Sequence, residues 1–179
     1  MLLTCQNIKL SVQLEKDVDM HTLKRNHNCE VLEKRTCFLV RTERGVLTIY
    51  KHSPFVVHVT GIKSNQNLDN IIKFLTSKLK NTIKNIKIDN SMFSCKNHVK
   101  IDRNSLLTSE KENLLYTLKY VCEAFPAIYF KPKESLKKNG HPTILLFNTG
   151  SFVFLGGKKI EEIKSANVFI ENIINKYKM

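Results

Sequence analysis

Apolar and polar positions along this chain form short extended runs separated by turn residues, and the runs come in two similar sets. In the first, Leu2 to Leu14 alternates in part and reads as a strand. Asp19-Met20-His21-Thr22-Leu23 is a short helical turn, with Asp17 or Asp19 to cap it. Thr36 to Arg41 is a compact apolar run. Glu43-Arg44-Gly45 turns the chain, and Val46 to Tyr50 returns as a second strand. His52-Ser53-Pro54 turns it again before Phe55 to Gly61. Apolar runs punctuated by Gly and Pro predict a meander. Ser64 then caps a helix whose apolar face is Leu68, Ile71, Ile72, Leu75 and Leu79, at three- and four-residue spacing.

The second set follows the same order. Lys87 to Val99 is extended, and Asp102 to Leu107 offers a short helix. Glu110 to Tyr120 reads as helical, with Leu114, Leu115 and Leu118 on one side. Ala127 to Phe130, Thr143 to Asn148 and Ser151 to Leu155 are strands. Lys159 to Tyr177 is a closing helix with Ile160, Ile163, Val168, Ile170, Ile173 and Ile174 as its apolar positions. Between two of these strands, Lys131 to Pro142 forms a long basic loop, and a loop of that length is functional or mobile. The phrase Gln6-Asn7-Ile8-Lys9-Leu10-Ser11-Val12 has a second copy in Asp89-Asn90-Ser91-Met92-Phe93-Ser94. Similarly, Phe55 to Lys63 corresponds to Ser151 to Lys158. The expected architecture is α+β: two pseudo-symmetric repeats, 1–83 and 84–179, each a strand-rich unit closed by a helix.

Charge narrows the function. The chain carries 29 Lys and Arg against 16 Asp and Glu, a formal net charge of +13. That balance favours a polyanionic partner, nucleic acid first. A Lys-, Asn- and Ile-rich composition of the kind produced by biased codon usage is the plainer explanation of the same number. The five cysteines have no CxxC spacing and are odd in number, which points to a reducing, intracellular compartment. No signal-peptide pattern opens the chain, and no apolar run approaches the ~20 residues of a membrane span. No membrane partner is therefore expected.

Several phrases, taken in order, resemble the core of the TATA-box-binding protein family. Gln6-Asn7-Ile8 is similar to the strand that opens each half of that family, with Asn90 at the matching place in the second half. Asp19-Met20-His21-Thr22-Leu23 resembles the helix that follows. Val59-Thr60-Gly61-Ile62-Lys63 resembles the end of its last strand, and Leu155-Gly156-Gly157-Lys158 is a weaker copy. Glu123-Ala124-Phe125-Pro126-Ala127-Ile128-Tyr129 and Ile144-Leu145-Leu146-Phe147-Asn148-Thr149-Gly150 resemble two motifs of the second half. The resemblance spans nearly the whole chain at low identity and implies a divergent member, of viral or parasite kind.

The resemblance implies a saddle, each half a curved antiparallel sheet with helices on its convex face, that binds and bends double-stranded, A·T-rich promoter DNA through the minor groove, a mode that this family exemplifies. It implies minor-groove hydrogen bonds from Asn7, Asn90 and Thr60, and a wedge pair in Phe125 and Phe147. Lys9, Tyr50, His58, Met92 and Val153 would lie on the same DNA-facing surface, with Arg41, Lys51 and Lys63 at phosphates. Glu123 falls where the family meets its transcription factor IIB-type partner, and RNA polymerase machinery would follow. The place of action would be the nucleus, or a viral factory or virion. Catalytic residues, metal and cofactor are not expected.

The departures are specific. Tyr50 takes the hairpin position of a first-half wedge, and Thr36, Cys37 and Phe38 all stand near the other. Lys9 and Met92 replace small apolar residues, and Leu155 replaces the second Thr. These changes favour a rival reading: a docking scaffold of the same fold without sequence-specific DNA binding. A second rival, an accessory module of a nucleic-acid enzyme, is disfavoured by the lack of a further domain. Cys95-Lys96-Asn97-His98 has Cys-x2-His spacing but no matched second pair, so a buried cysteine beside an exposed histidine is expected there, not zinc. His52 and His58 straddle a hairpin with no acidic partner in view. Gly156-Gly157-Lys158 lacks the rest of a phosphate loop, and Glu161-Glu162 are adjacent on a helix and do not face each other.

Overall fold

A computed structural model describes residues 2–25, 29–43, 45–121 and 123–179. Arg44 of the expected turn and Cys122 lie outside the described residues. The chain divides into two compact units. The first is Gln6–Asp89; the second is Asn90–Met179 together with Met1–Cys5.

In the first unit the strands are β1 (Thr4–Leu14), β2 (Glu30–Glu33), β3 (Cys37–Thr42), β4 (Gly45–Tyr50) and β5 (Val56–Ile62). They lie in the order β2-β3-β4-β5-β1, every neighbour antiparallel. Period-two alternation sends Leu10, Val12, Leu14, Val40, Leu47, Ile49, Val57 and Val59 to one face, where all are buried. Helix α1 (Met20–Lys24) closes on that core with Leu23, and its cap is Asp19, whose side chain accepts from the His21 N–H. Helix α2 (Asn65–Lys73) begins at Ser64, which accepts from the Asn67 N–H. It runs on through a π-helical turn, Phe74–Lys78, and buries Ile71, Leu75 and Leu79. Strand β2 was hidden from the sequence because four residues reading Glu-Val-Leu-Glu carry too little alternation to declare a strand.

The second unit contains β6 (Ile83–Cys95), which enters from the first, then β7 (Tyr116–Lys119), β8 (Ala127–Pro132), β9 (Thr143–Phe147) and β10 (Phe152–Gly157). Its order is β6-β10-β9-β8-β7, again antiparallel. Phe130, Ile144, Leu146, Phe152 and Phe154 face one way. They pack against α3 (Arg103–Ser109) through Leu106, and against α5 (Ile160–Tyr177) through Ile163, Ala166, Ile170, Ile173 and Ile174. The α+β class is as expected.

Three expectations need correction. Glu110 to Tyr120 is not helical: Tyr116–Lys119 is strand β7, and Leu114 and Leu115 are 86% and 46% exposed. Glu110 instead ends α3, and the Asn113 side chain accepts from the N–H groups of Leu115 and Tyr116, turning the chain into the strand. The basic loop contains a helix, α4 (Glu134–Asn139), stopped by Gly140 in the left-handed region at φ +94°. In α5, Ile160 and Val168 are both exposed, because the buried stripe runs through Ile163, Ala166 and Ile170.

The two units repeat in register as well as in sequence. Ile8 pairs with Ile62 and Leu10 with Val59 across a bulge in β5; Ser91 pairs with Gly157 and Phe93 with Phe154 across a bulge in β10. Gly61 and Gly156 sit in those bulges, each at φ +86°, where a residue with a Cβ would be strained. This equivalence matches Asn7 to Asn90, Ser11 to Ser94, His58 to Val153 and Tyr50 to Phe147.

Candidate nucleic-acid interface

Each sheet has a second face, opposite its core and helices, and nearly all the residues singled out from the sequence fall on it. In the second unit, register puts Asn90, Met92 and Ser94 of β6 beside Val153 and Leu155 of β10. Thr143, Leu145 and Phe147 of β9 come next, then Ala127, Tyr129 and Lys131 of β8, then Thr117 and Lys119 of β7. Phe147, Phe125, Met92 and Val153 are half-buried and Asn90 is exposed. Phe125 lies just before β8, where its ring meets Phe147 at 6.0 Å between centroids and Tyr129 at 5.7 Å. None of these three rings belongs to the second unit's core cluster. Pro126 and the Phe125 N–H bond to Val121 O at 3.0 Å fix the approach of the chain. Beside the rings is a shallow depression of about 380 Å³, lined by Lys119, Val121, Ala124, Phe125, Tyr129 and Lys131. Apolar rings with flanking ammonium groups suit stacked bases beside phosphates.

Sequence reasoning missed Tyr129, Lys119 and Lys131. Strict alternation from Ala127 would have placed Tyr129 and Lys131 on this face. Lys119 was lost with the mistaken helix. Glu123 is exposed on the turn leading to Phe125.

The first unit presents a more polar face. Asn7, Lys9 and Ser11 of β1 stand beside Val56, His58 and Thr60 of β5, then Val46, Thr48 and Tyr50 of β4 and Cys37, Leu39 and Arg41 of β3. The Asn7 side chain is fixed: its Oδ1 accepts from the Gly61 N–H at 2.8 Å, which leaves the Nδ2 hydrogens as outward donors. The Thr60 hydroxyl lies 3.5 Å from Val46 O, at the limit of a hydrogen bond. The Tyr50 ring lies 5.5 Å from both the His52 and His58 rings.

Register also settles which residue accompanies Tyr50. Cys37 opposes Tyr50 as Ala127 opposes Phe147, so Arg35 stands where Phe125 does. Phe38 points to the opposite side, under the ammonium groups of Lys51 at 4.9 Å and Lys24 at 5.7 Å. The first unit therefore has no second ring at the wedge position.

The expected phosphate contacts divide. Lys63 is exposed after β5. Arg41 is exposed on the open face but lies 3.6 Å from Glu30 across β2 and β3. Lys51 is turned away from that face: it donates to Glu33 at 2.7 Å, and Lys24 reaches the same carboxylate at 3.2 Å. The two ammonium groups hold the Glu33 carboxyl below the usual range. His58, expected to have no acidic neighbour, lies 3.7 Å from the Asp89 carboxylate, and Ser11 bonds to both.

Among the described residues no group of three or more His, Cys, Asp or Glu side chains could hold a metal ion. Cys95 is buried and its neighbour His98 exposed, the arrangement expected of a packed thiol. Among the described residues no helix is long and apolar enough to cross a membrane.

The two units repeat one antiparallel architecture, each with a core and helices on one sheet face and the other face open. The family model described as transcription factor TFIID (or TATA-binding protein, TBP) matches residues 85–177. The solved structure of Methanococcus jannaschii TBP has the same fold, at TM-score 0.72 and 20% identity over 98% of this chain and 99% of that one. The chain belongs to the TATA-binding protein family, a family of transcription factors and not of enzymes.

Proposed function

We propose that this chain is a transcription initiation factor that binds duplex DNA in the minor groove through its open sheet faces, bends it, and recruits transcription machinery. The observation that carries this reading is the Phe125–Phe147 pair, half-buried and outside the core on the face that no helix covers. A phenylalanine kept out of the core where it adds least to stability is best explained by a partner that covers it. Asn7 and Asn90 are its groove-facing donors, aimed at adenine N3 and thymine O2. Thr60, Met92, Val153 and Lys9 complete the surface. Lys63, Lys119 and Lys131 hold phosphates, with Arg41 once it leaves Glu30. Lys51 is set aside because Glu33 engages it. The repeats 1–83 and 84–179 divide the labour, the second distorting DNA and offering Glu123 to a factor IIB-type protein. Such work belongs where transcripts are made: a nucleus, or the factory of a virus.

The experiment is electrophoretic comparison of A·T-rich and G·C-rich duplexes, with fluorescence transfer between labelled ends to read bending. Binding should fall steeply with salt as phosphate counterions are displaced. A complex that forms without bending sinks the wedge mechanism. The rival, a docking scaffold, draws support from the first unit, where Arg41 and Lys51 are paired and a carboxylate joins the open face. No duplex preference and no bending, alongside binding to a transcription factor, would favour the scaffold.

A further inference from the structure

Asp89 brings a carboxylate to the DNA-facing side of a chain with net charge +13. Ser11 and His58 belong to that side of the first unit, and they converge on the carboxylate. The Ser11 hydroxyl donates to Asp89 Oδ2 and lies 3.0 Å from His58 Nδ1, with the imidazole 3.7 Å from the same carboxylate oxygen. A hydroxyl has one hydrogen. With it given to Asp89, the Nδ1–H of His58 donates to Ser11. The side chains of His58 and Asp89 are 28% and 25% exposed, so the group is held but open to a ligand. Both of these contacts fall on Asp89 Oδ2, which leaves Oδ1 as the carboxylate's other acceptor. The matching positions of the second unit, Ser94 and Val153, include no imidazole, so the device belongs to one unit. It is not a nucleophilic triad: carboxylate and imidazole meet at the serine oxygen, and the carboxylate does not sit behind the imidazole.

Next to duplex DNA a carboxylate meets acceptors nearly everywhere: phosphate oxygens, adenine N3 and thymine O2. The minor groove has a single donor, the N2 amino group of guanine. We propose that Asp89 reads guanine, its Oδ1 accepting a hydrogen bond from the N2 amino group of a G·C pair that faces the first unit. The proposal rests on the DNA-binding reading above and makes the recognised site mixed: A·T pairs with a G·C pair at one defined position. Over A·T the desolvated carboxylate has no donor, which is the costly arrangement. Ser11 and His58 are positioning residues that aim Oδ1 outward.

The test takes the full chain and the tightest duplex selected from a randomised pool. Each G·C pair is replaced in turn by inosine·cytosine, which lacks the N2 amino group and keeps the major groove unchanged. At one position the replacement should weaken binding by about fivefold or more, while Asp89→Ala should bind both duplexes alike. A 2,6-diaminopurine·thymine pair at that position, which restores a minor-groove amino group, should recover the affinity. A wild-type protein that binds duplex DNA but tolerates inosine everywhere overturns the guanine reading and leaves DNA binding standing. A protein that retains no duplex at all overturns the DNA-binding reading, and the role of Asp89 falls with it. Should Asp89→Ala fail to fold, the inosine scan of the wild-type chain still decides.

Discussion

Replacing Phe147 by Ala separates wedge from core. Fully buried phenylalanines in this chain, such as Phe154, are the reference, and truncating one costs about 3–5 kcal/mol. Phe147 is only partly buried and touches Phe125 at 6.0 Å. Removing it forfeits that ring contact, about 1 kcal/mol, and roughly two-thirds of a phenylalanine's burial, about another 1–1.5 kcal/mol. Phe147→Ala should therefore destabilise by about 2–2.5 kcal/mol, against about 4 kcal/mol for Phe154→Ala, and remain folded. Bending should suffer much more. Forcing a side chain into a base step costs a few kcal/mol of unstacking, offset by the apolar surface the ring buries between the bases. Without the ring nothing offsets it, and the duplex should stay straight. The assay is fluorescence transfer between labelled DNA ends at saturating protein, with urea unfolding measured in parallel. If Phe147→Ala lost as much stability as Phe154→Ala, or bent DNA as wild type does, the argument would be refuted.

Two further outcomes test the scaffold. Ser64→Ala removes the side-chain cap of α2 and should lower stability by about 1 kcal/mol, read as a shift in urea midpoint without a change in slope. Burial pushes the Glu110 carboxyl up, but hydrogen bonds from Asn113, Lys176 and Tyr177 outweigh it and the net direction is down. A carboxyl lowered in the folded state contributes stability that is present above its unfolded value and lost as pH falls through the folded one. Wild type should therefore exceed Glu110→Gln at neutral pH, and the gap should close on acidification below the ordinary glutamate range.

Local signals carried most of the fold. β1 showed partial alternation, β3, β4, β5 and β10 stood out as short apolar runs between turns, and the helix at Ser64 announced itself by cap and stripe. Failures came where a tertiary partner decides. Leu114, Leu115 and Leu118 share helical spacing, yet Asn113 and the pairing of β7 with β8 impose a strand. In α4, the run Glu134–Asn139 is too short and polar to outrank a loop by pattern alone. Sequence order singled out Phe125, Phe147, Asn7 and Asn90, because each sits in a phrase with its own turn or strand signature, and all four fall away from the cores. It could not locate the partners of Lys51 or His58. Glu33 and Asp89 are distant in the chain, and only β-sheet register brings them within reach. The one visible hint was Asp89 standing where the first copy of the phrase has Gln6.

If the chain binds DNA as proposed, register bounds how far the duplex is distorted. Opening one base step costs a few kcal/mol. Two partly exposed phenylalanines that become fully buried contribute about 0.5–1 kcal/mol each, so one pair sustains one kink and no more. The second unit has that pair. The first has Tyr50 backed by His52 and His58, with Arg35 where a second ring would stand. An arginine there neutralises phosphate but does not part bases. The complex should therefore kink at one end only. With 2-aminopurine placed step by step along a bound duplex, fluorescence should brighten at the step facing Phe125 and Phe147 and stay quenched at the equivalent step facing Tyr50. Brightening at both ends would show that Tyr50 wedges alone and that the ring pair is not the unit of distortion. Replacing Arg35 by Phe should supply the missing ring and switch on the second kink, an outcome that a purely electrostatic role for the first unit does not produce.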